Sequence, residues 1–439
     1  MSVTRSSLAA SASGAESAGS TTLAGASAAV ATMLSDLDDF SDAAVLGLVR
    51  ESLDKKAMEQ RATNLRNMVT ELHKKPVSLP SRKWKTNERT ARVVQLAALC
   101  SRAVYRKDPT QVVPELPDYA IKDRHWIEPT ADGSGKAAAL FEIVPTNQSS
   151  RRKILVVAVR GSAGTVDWLV NLNTELADCL DLLKLPKSHN KPLPKVHRGF
   201  AQCARTIAPG LLAQIKTVLN EDQEQDQEIE IVFTGHSAGG AVACLLFGHF
   251  LTAQVLDVPS AKPKLSCISF GCPPLFDADI DSLLIEHFPS SSFREGIMLA
   301  FLNDGDPIPR MDSAYATELA RIWHRVGGSI CPPASELPDF KPPKLHLNTL
   351  GQMVLLYDKQ QDFTENDKED QDQDEDTDDE EEKLMTCRLD RGDLEKQAWA
   401  NVLAHRMNQY VEWTTRIGDG CFNGRLDWQD DEGGCCILN

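Results

Sequence analysis

The segment Ile229-Glu230-Ile231-Val232-Phe233-Thr234-Gly235-His236-Ser237-Ala238-Gly239-Gly240 decides how the rest of this 439-residue chain is read. Ile229–Phe233 is a short β-rich run. Ala238–Leu256 is long and apolar, but it includes Gly239, Gly240, His249 and Gln254, so it reads as a buried helix rather than a membrane span. Between the two stands the pattern G-x-S-x-G, formed by Gly235, Ser237 and Gly239. A strand, a sharp turn and a helix in that order hold a serine on strained backbone with its Oγ exposed. The helix N-terminus adds a positive dipole end where an oxyanion would develop. Ser237 is therefore the candidate nucleophile; the alternative is a purely structural turn.

The flanking sequence has the same texture. Further strand candidates are Ala138–Val144, Ile154–Val159, Leu265–Phe270, Ile297–Leu302, Met353–Tyr357 and Leu384–Leu389. Helical patterns cover Ala201–Leu219 and Leu394–Arg416. Short β-rich runs alternating with long helical ones predict an α/β fold, a mostly parallel central sheet with helices on both faces. Upstream, Val45, Leu48, Val49 and Leu53, then Leu65, Met68, Val69 and Leu72, recur at helical spacing, and Pro76 and Pro80 end the pattern. Glu88–Tyr105 reads as another helix. The expected organisation is a Ser/Ala-rich disordered tail at 1–35, a helical extension at 36–75, one large domain at 76–420 and a C-terminal tail at 421–439.

Composition narrows the partners. The net charge is −16, yet Asp362–Glu382 alone carries fourteen acidic residues against one lysine. The remainder is nearly neutral, and no basic stripe of the kind that neutralises phosphates is visible, which argues against nucleic-acid binding. The acidic run lies between two strand candidates and reads as a solvated, self-repelling loop at 360–383 inserted in the domain. Eleven cysteines, odd in number and without a C-x-x-C pair, argue against a disulfide framework or zinc site and suit a reducing compartment. No basic-then-apolar leader opens the chain, and Arg5 is the only basic residue before Arg50. These features predict a cytoplasmic protein.

Three further segments give the serine motif a family. Val157-Ala158-Val159-Arg160-Gly161-Ser162 with Asp167-Trp168-Leu169, Val196-His197-Arg198-Gly199-Phe200, and Ser269-Phe270-Gly271-Cys272-Pro273 resemble three motifs of the class 3 lipases. These are α/β-hydrolases that include fungal triacylglycerol lipases and sn-1-specific diacylglycerol lipases. The resemblance covers about 89–416 and leaves out residues 1–75 and the acidic loop. It implies an α/β-hydrolase fold, to which the helical spacing at 36–75 adds an N-terminal helical extension, and no cofactor or metal is expected.

In such folds the triad acid and base follow the serine in chain order. Asn303-Asp304-Gly305-Asp306-Pro307-Ile308-Pro309-Arg310 is similar to the family's N-D-x-V-P-R segment, and the Ile-Pro-Arg register favours Asp306 over Asp304 as the acid. Three histidines lie beyond Asp306: His324, His346 and His405. His405 resembles the histidine of the family's D-H-x-x-x-Y segment, with Ala404 standing where the family has Asp. His346 is the alternative base. The oxyanion would be held by the backbone N–H of Ala238 and, by resemblance, of Ser162. His197 reads as a structural residue beside the site.

The substrate side follows from the same resemblance. Ala163–Leu172 reads as an amphipathic lid carrying Trp168, Leu169 and Leu172, the alternative being an ordinary surface helix. The chain ends Cys435-Cys436-Ile437-Leu438-Asn439, where Cys436 opens a C-a-a-X form and Cys435 offers a second thiol for acylation, although Asn is an unusual last residue and the upstream segment is acidic. The expectation is a serine ester hydrolase of acylglycerols, diacylglycerol or another neutral lipid, working at a membrane or lipid-droplet surface from the cytosolic side. The alternatives are a phospholipase or short-chain esterase and, from another class, a lipase-like binding module that no longer turns over.

Overall fold

A computed structural model describes residues 49–73, 82–106, 119–130, 134–146, 152–162, 175–185, 193–221, 228–254, 256, 263–288, 296–326, 333, 339–358 and 384–423. The tail at 1–35, the lid candidates Trp168, Leu169 and Leu172, the acidic run, and Cys435 and Cys436 lie outside the described residues.

The helices are α1 (Val49–Leu72), α2 (Glu88–Ala103), α3 (Arg198–Glu221), α4 (Ala238–Ala253), α5 (Ile280–His287), α6 (Ser313–Val326), α7 (Arg391–Lys396) and α8 (Met407–Gly418). The strands are β1 (Tyr119–Ile127), β2 (Ala138–Pro145), β3 (Arg152–Val159), β4 (Leu176–Asp178), β5 (Lys195–His197), β6 (Glu228–His236), β7 (Lys264–Phe270), β8 (Met298–Asn303), β9 (Gln352–Asp358) and β10 (Leu384–Leu389).

Eight strands form one sheet in the order β1-β2-β3-β6-β7-β8-β9-β10, and β4 pairs with β5 separately. From β3 to β9 every neighbour is parallel, whereas β1, β2 and β10 pair antiparallel at the flanks. The two-residue period of a strand sorts side chains onto two faces. Leu155, Val157 and Val159 of β3, with Ile231 and Phe233 of β6, pack under α3 and α4. Ile154, Val156 and Ala158, with Val232 and Ile268, pack under α2 and α8. A mostly parallel sheet covered on both faces, with a serine on the turn from β6 to α4, is the α/β-hydrolase fold.

A third apolar cluster lies at the β9–β10 side. There Ala62, Leu65, Met68, Val69 and Leu72 of α1 pack with Tyr315, Leu319 and Trp323 of α6 and with Trp399 and Val402. These residues share one face of α1, and Leu65 and Val69 are wholly buried. Each such side chain contributes roughly 1.5–3 kcal/mol, against about 0–1 kcal/mol for an exposed ion pair such as Glu59–Arg406. The apolar stripe therefore docks the helix.

The single helix expected over Leu394–Arg416 is corrected to three pieces: α7, a 3₁₀ turn at Val402–His405, and α8. Periodic apolar residues run through the whole stretch and mask the breaks. The backbone bonds elsewhere instead. Gln397 is extended, the Trp399 N–H donates to the Tyr315 hydroxyl, and the Asn401 N–H donates to the Gly305 carbonyl. Arg406 is extended again before α8 begins. α5, α6 and the polar edge strand β1 were not anticipated, although Tyr315, Leu319, Ile322 and Trp323 of α6 are buried at helical spacing; α4 ends at Ala253, with Gln254 left-handed beyond it.

Candidate active site

Ser237 caps α4 with φ 56° and ψ −133°, a region costly for a residue with a side chain. Its N–H donates to the Phe270 carbonyl at 2.9 Å, which ties the turn to the end of β7. The turn also needs Gly239: a Cβ there would run into the backbone of Val159, Arg160 and Gly161. That close approach sets the end of β3, and the buried Ser162 just beyond it, against the start of α4. Ala238 is the first residue of α4, so its N–H has no intrahelical acceptor. Both oxyanion candidates thus flank the nucleophile turn.

Asp306 follows β8 and is fully buried. Its Oδ1 accepts the Ile308 N–H at 2.9 Å. Its Oδ2 accepts the Tyr410 hydroxyl at 2.6 Å and His405 Nδ1 at 2.9 Å. Burial, and next the Asp306 charge, push the Tyr410 phenol well above its usual range, so it stays a donor. A carboxylate has only acceptors, so Nδ1 of His405 is the donor, and in the neutral ring Nε2 carries the lone pair. Among the described residues that buried Nε2 has no hydrogen-bond partner.

The structure brings Asp306 and His405 together and leaves the alternatives apart. His346 is exposed, and its backbone N–H donates to Asp312. Asp304 bonds through its own N–H to Leu356, and burial pushes its carboxyl up. Gly271, at the end of β7, has φ 53°, and a Cβ on it would come within 2.8 Å of His405 Nδ1 and 2.9 Å of Asp306 Oδ2. The glycine of the Ser-Phe-Gly-Cys-Pro segment is therefore the floor on which Asp306 and His405 meet. His197 is buried and stacks on Phe200 at 4.1 Å between ring centroids.

Several residues around the base escaped sequence reasoning. Nε2 of His236 donates to the His405 carbonyl at 2.7 Å, and its Nδ1 meets the Tyr105 hydroxyl at 3.0 Å. The two histidine rings lie 4.4 Å apart. Burial, and next the neighbouring His405, hold His236 well below its usual range, so it is neutral. Asn303 holds the other side: its Nδ2 donates to the Ala404 carbonyl at 2.7 Å, and its N–H donates to the Tyr410 hydroxyl. His236 was hidden as the variable position of G-x-S-x-G; the signal for Tyr410 was its place after His405 in the family-like segment.

No group of three or more metal-ligating side chains occurs among the described residues. The chemistry available is that of a strained serine, an imidazole with a free nitrogen, a buried carboxylate behind it and a helix N-terminus in front. That set suits nucleophilic attack on a carbonyl.

Comparison with known proteins shows what part of the chain is similar to. Residues 156–315 match the family model described as lipase (class 3). This segment includes Ser162, Ser237 and Asp306 and ends before His405. The chain is 28% identical over 146 residues to phospholipase A1-II 4 of Oryza sativa subsp. japonica, covering 31% of this chain and 35% of that protein. It is 35% identical over 92 residues to secreted mono- and diacylglycerol lipase 1 of Fusarium solani, covering 21% of this chain and 24% of that one. The matched stretch thus spans about a third or less of these relatives. A Rhizomucor miehei lipase propeptide complex is similar over 75% of this chain and 83% of its own, at 14% identity and a TM-score of 0.43.

Proposed function

We propose that this chain is a serine ester hydrolase acting on acylglycerols, diacylglycerol or another neutral lipid, through Ser237, His405 and Asp306. One observation carries the reading: His405 donates from Nδ1 to a buried carboxylate while its buried Nε2 has no partner among the described residues. In the proposed reaction Nε2 takes the proton of Ser237 Oγ as the oxygen attacks the ester carbonyl. Asp306 stabilises the imidazolium, and the N–H groups of Ala238 and Ser162 take the oxyanion. His405 returns the proton to the departing alcohol. It then deprotonates the water that releases the fatty acid.

The acylglycerol substrate is supported by the class 3 lipase segment and by the Fusarium relative's acylglycerol chemistry. The likeness to the rice phospholipase A1 favours a phospholipid as the second reading. Work at a membrane or lipid-droplet surface, from the cytosolic side, rests on Trp168 and on Cys435 and Cys436.

The test is covalent labelling of the full chain by a fluorophosphonate, followed by hydrolysis of diacylglycerol, triacylglycerol and phosphatidylcholine in mixed micelles. Labelling is expected in wild type and His346→Ala, and is expected to vanish in Ser237→Ala and His405→Ala. Loss in His346→Ala instead moves the base. No labelling of folded wild type, in buffer or detergent, makes the chain a lipase-like binding module.

A further inference from the structure

We propose that α1, which lies outside the matched family segment, is a positioning element that holds the base turn and the acid turn in register. The inference rests on the triad reading above. Three observations converge on it. First, the apolar stripe of α1 shares one cluster with Ile308, beside the acid, and with Val402, in the 3₁₀ turn that ends at His405. Second, the polar edge of α1 reaches both turns. Glu59 Oε1 pairs with Arg406 Nη2 at 3.3 Å, one residue past His405. One heptad on, the Arg66 charge acts on Asp304, two residues before Asp306. Third, α1 is fastened by other bonds. Arg61 donates to the Trp323 carbonyl at 3.0 Å and lies over the Trp323 ring at 4.1 Å. The Phe340 N–H donates to the Leu72 carbonyl.

The base turn needs such support. It is a short 3₁₀ segment between the non-helical Asn401 and the extended Arg406, and 3₁₀ hydrogen bonds have poorer geometry than those of an α-helix. Its inner side is held by Asn303 and His236. Its outer side rests on Trp399, which Tyr315 of α6 grips through both its N–H and its carbonyl, and on α1. A shift of the order of an ångström there separates Nδ1 from Asp306, and misplacement on that scale can cost about a hundredfold in rate.

The experiment uses the full chain and two readouts: the fluorophosphonate labelling rate, and the downfield proton resonance of His405 Nδ1–H, assigned by its loss in His405→Gln. Leu65→Ala with Val69→Ala is expected to free α1, seen as faster amide exchange in 59–72. Labelling should slow at least tenfold, KM for a soluble short-chain ester should stay within twofold, and the resonance should broaden. If alanine leaves α1 docked, Leu65→Asp forces the separation. The surface pair tests the same idea without risk to folding. Glu59→Arg and Arg406→Glu should each slow labelling two- to fivefold, and the two together should restore it. An undocked α1 with unchanged labelling and a sharp resonance overturns the proposal, as does failure of the charge swap to restore the rate. If wild type is not labelled at all, the hydrolase reading fails, and the His405 resonance alone still decides whether α1 positions the base.

Discussion

The two ends of the parallel sheet each bury a carboxylate completely and treat it in opposite ways. At the amino ends of the strands, Glu230 meets the Arg152 guanidinium at 2.5 Å, Arg89 at 3.8 Å and the Ser266 hydroxyl at 2.7 Å. At the carboxyl ends, Asp306 accepts from an amide, a phenol and an imidazole. Permanent cations satisfy Glu230 whatever the rest of the molecule does. Asp306 is surrounded by an amide, a phenol and an imidazole instead of guanidiniums, which in the proposed reaction leaves it able to stabilise a His405 imidazolium. Open α/β sheets place their ligands at the carboxyl ends of the strands, and here Ser162, Ser237, Gly271 and Asp306 each follow one of those ends. The comparison predicts that the two ends fail differently.

The sharpest break is Asp306→Asn. The amide presents the wrong partner to His405 Nδ1, so the ester-hydrolysis kcat should fall by about 10⁴. The melting temperature should fall only modestly: the amide oxygen in the Oδ1 place keeps the Ile308 N–H bond, while the NH2 in the Oδ2 place faces the Tyr410 hydroxyl, which can turn from donor to acceptor. A loss of kcat below tenfold would sink the assignment of Asp306 as the acid. Glu230→Gln is the counterpart at the other end. It leaves two guanidiniums facing a neutral amide and should cost about 3 kcal/mol in urea unfolding, with kcat per folded molecule unchanged within twofold. Equal damage to kcat and stability in both variants would dissolve the distinction.

Gly271→Ala brings the comparison inside the active end. The added Cβ meets His405 and Asp306 together and sits on a backbone at φ 53°. Labelling of Ser237 should slow about a hundredfold. Stability should fall by about 1–2 kcal/mol, from the positive φ. Normal labelling would mean that the acid–base pair has room that the structure does not give it.

How far the sequence carried these conclusions follows from how local each signal is. Ser237 was legible because strand, turn and helix are contiguous. Asp306 was legible through the register of Ile308-Pro309-Arg310, and the Ile308 N–H bond to Asp306 Oδ1 is the physical content of that register. His405 was visible as a residue but not as a geometry. Leu394, Trp399, Val402 and Met407 mimic one continuous helix, and only bonds made at a distance, Tyr315 to Trp399 and Gly305 to Asn401, reveal the break that sets His405 against Asp306. Tyr105, Asn303 and His236 act through contacts more than a hundred residues apart in sequence, which no local pattern encodes.

A second carboxylate at the amino ends refines the contrast. Asp281 accepts the Gly351 N–H on both oxygens, at 3.0 Å each, where Gly351 leads into β9. Burial pushes its carboxyl up to about 7, with that single amide bond drawing it back and Asp279 adding repulsion. Unlike Glu230 it is held by a backbone amide rather than by guanidiniums. Because the folded value is raised, the native state binds more protons than the unfolded chain between about pH 4 and pH 7. Stability contributed by the protonated form is therefore complete at low pH and lost as pH rises through 7. Over that window the linkage amounts to about 4 kcal/mol at most. Asp281→Asn removes the charge and keeps an acceptor for Gly351, although its amide N–H groups need partners of their own. The variant should thus unfold about 2 kcal/mol harder than wild type at pH 8 and within about 0.5 kcal/mol of it at pH 5. A difference independent of pH would place Asp281 with Glu230 as a carboxylate compensated by its surroundings, and would set both apart from Asp306, whose partners are neutral donors and His405.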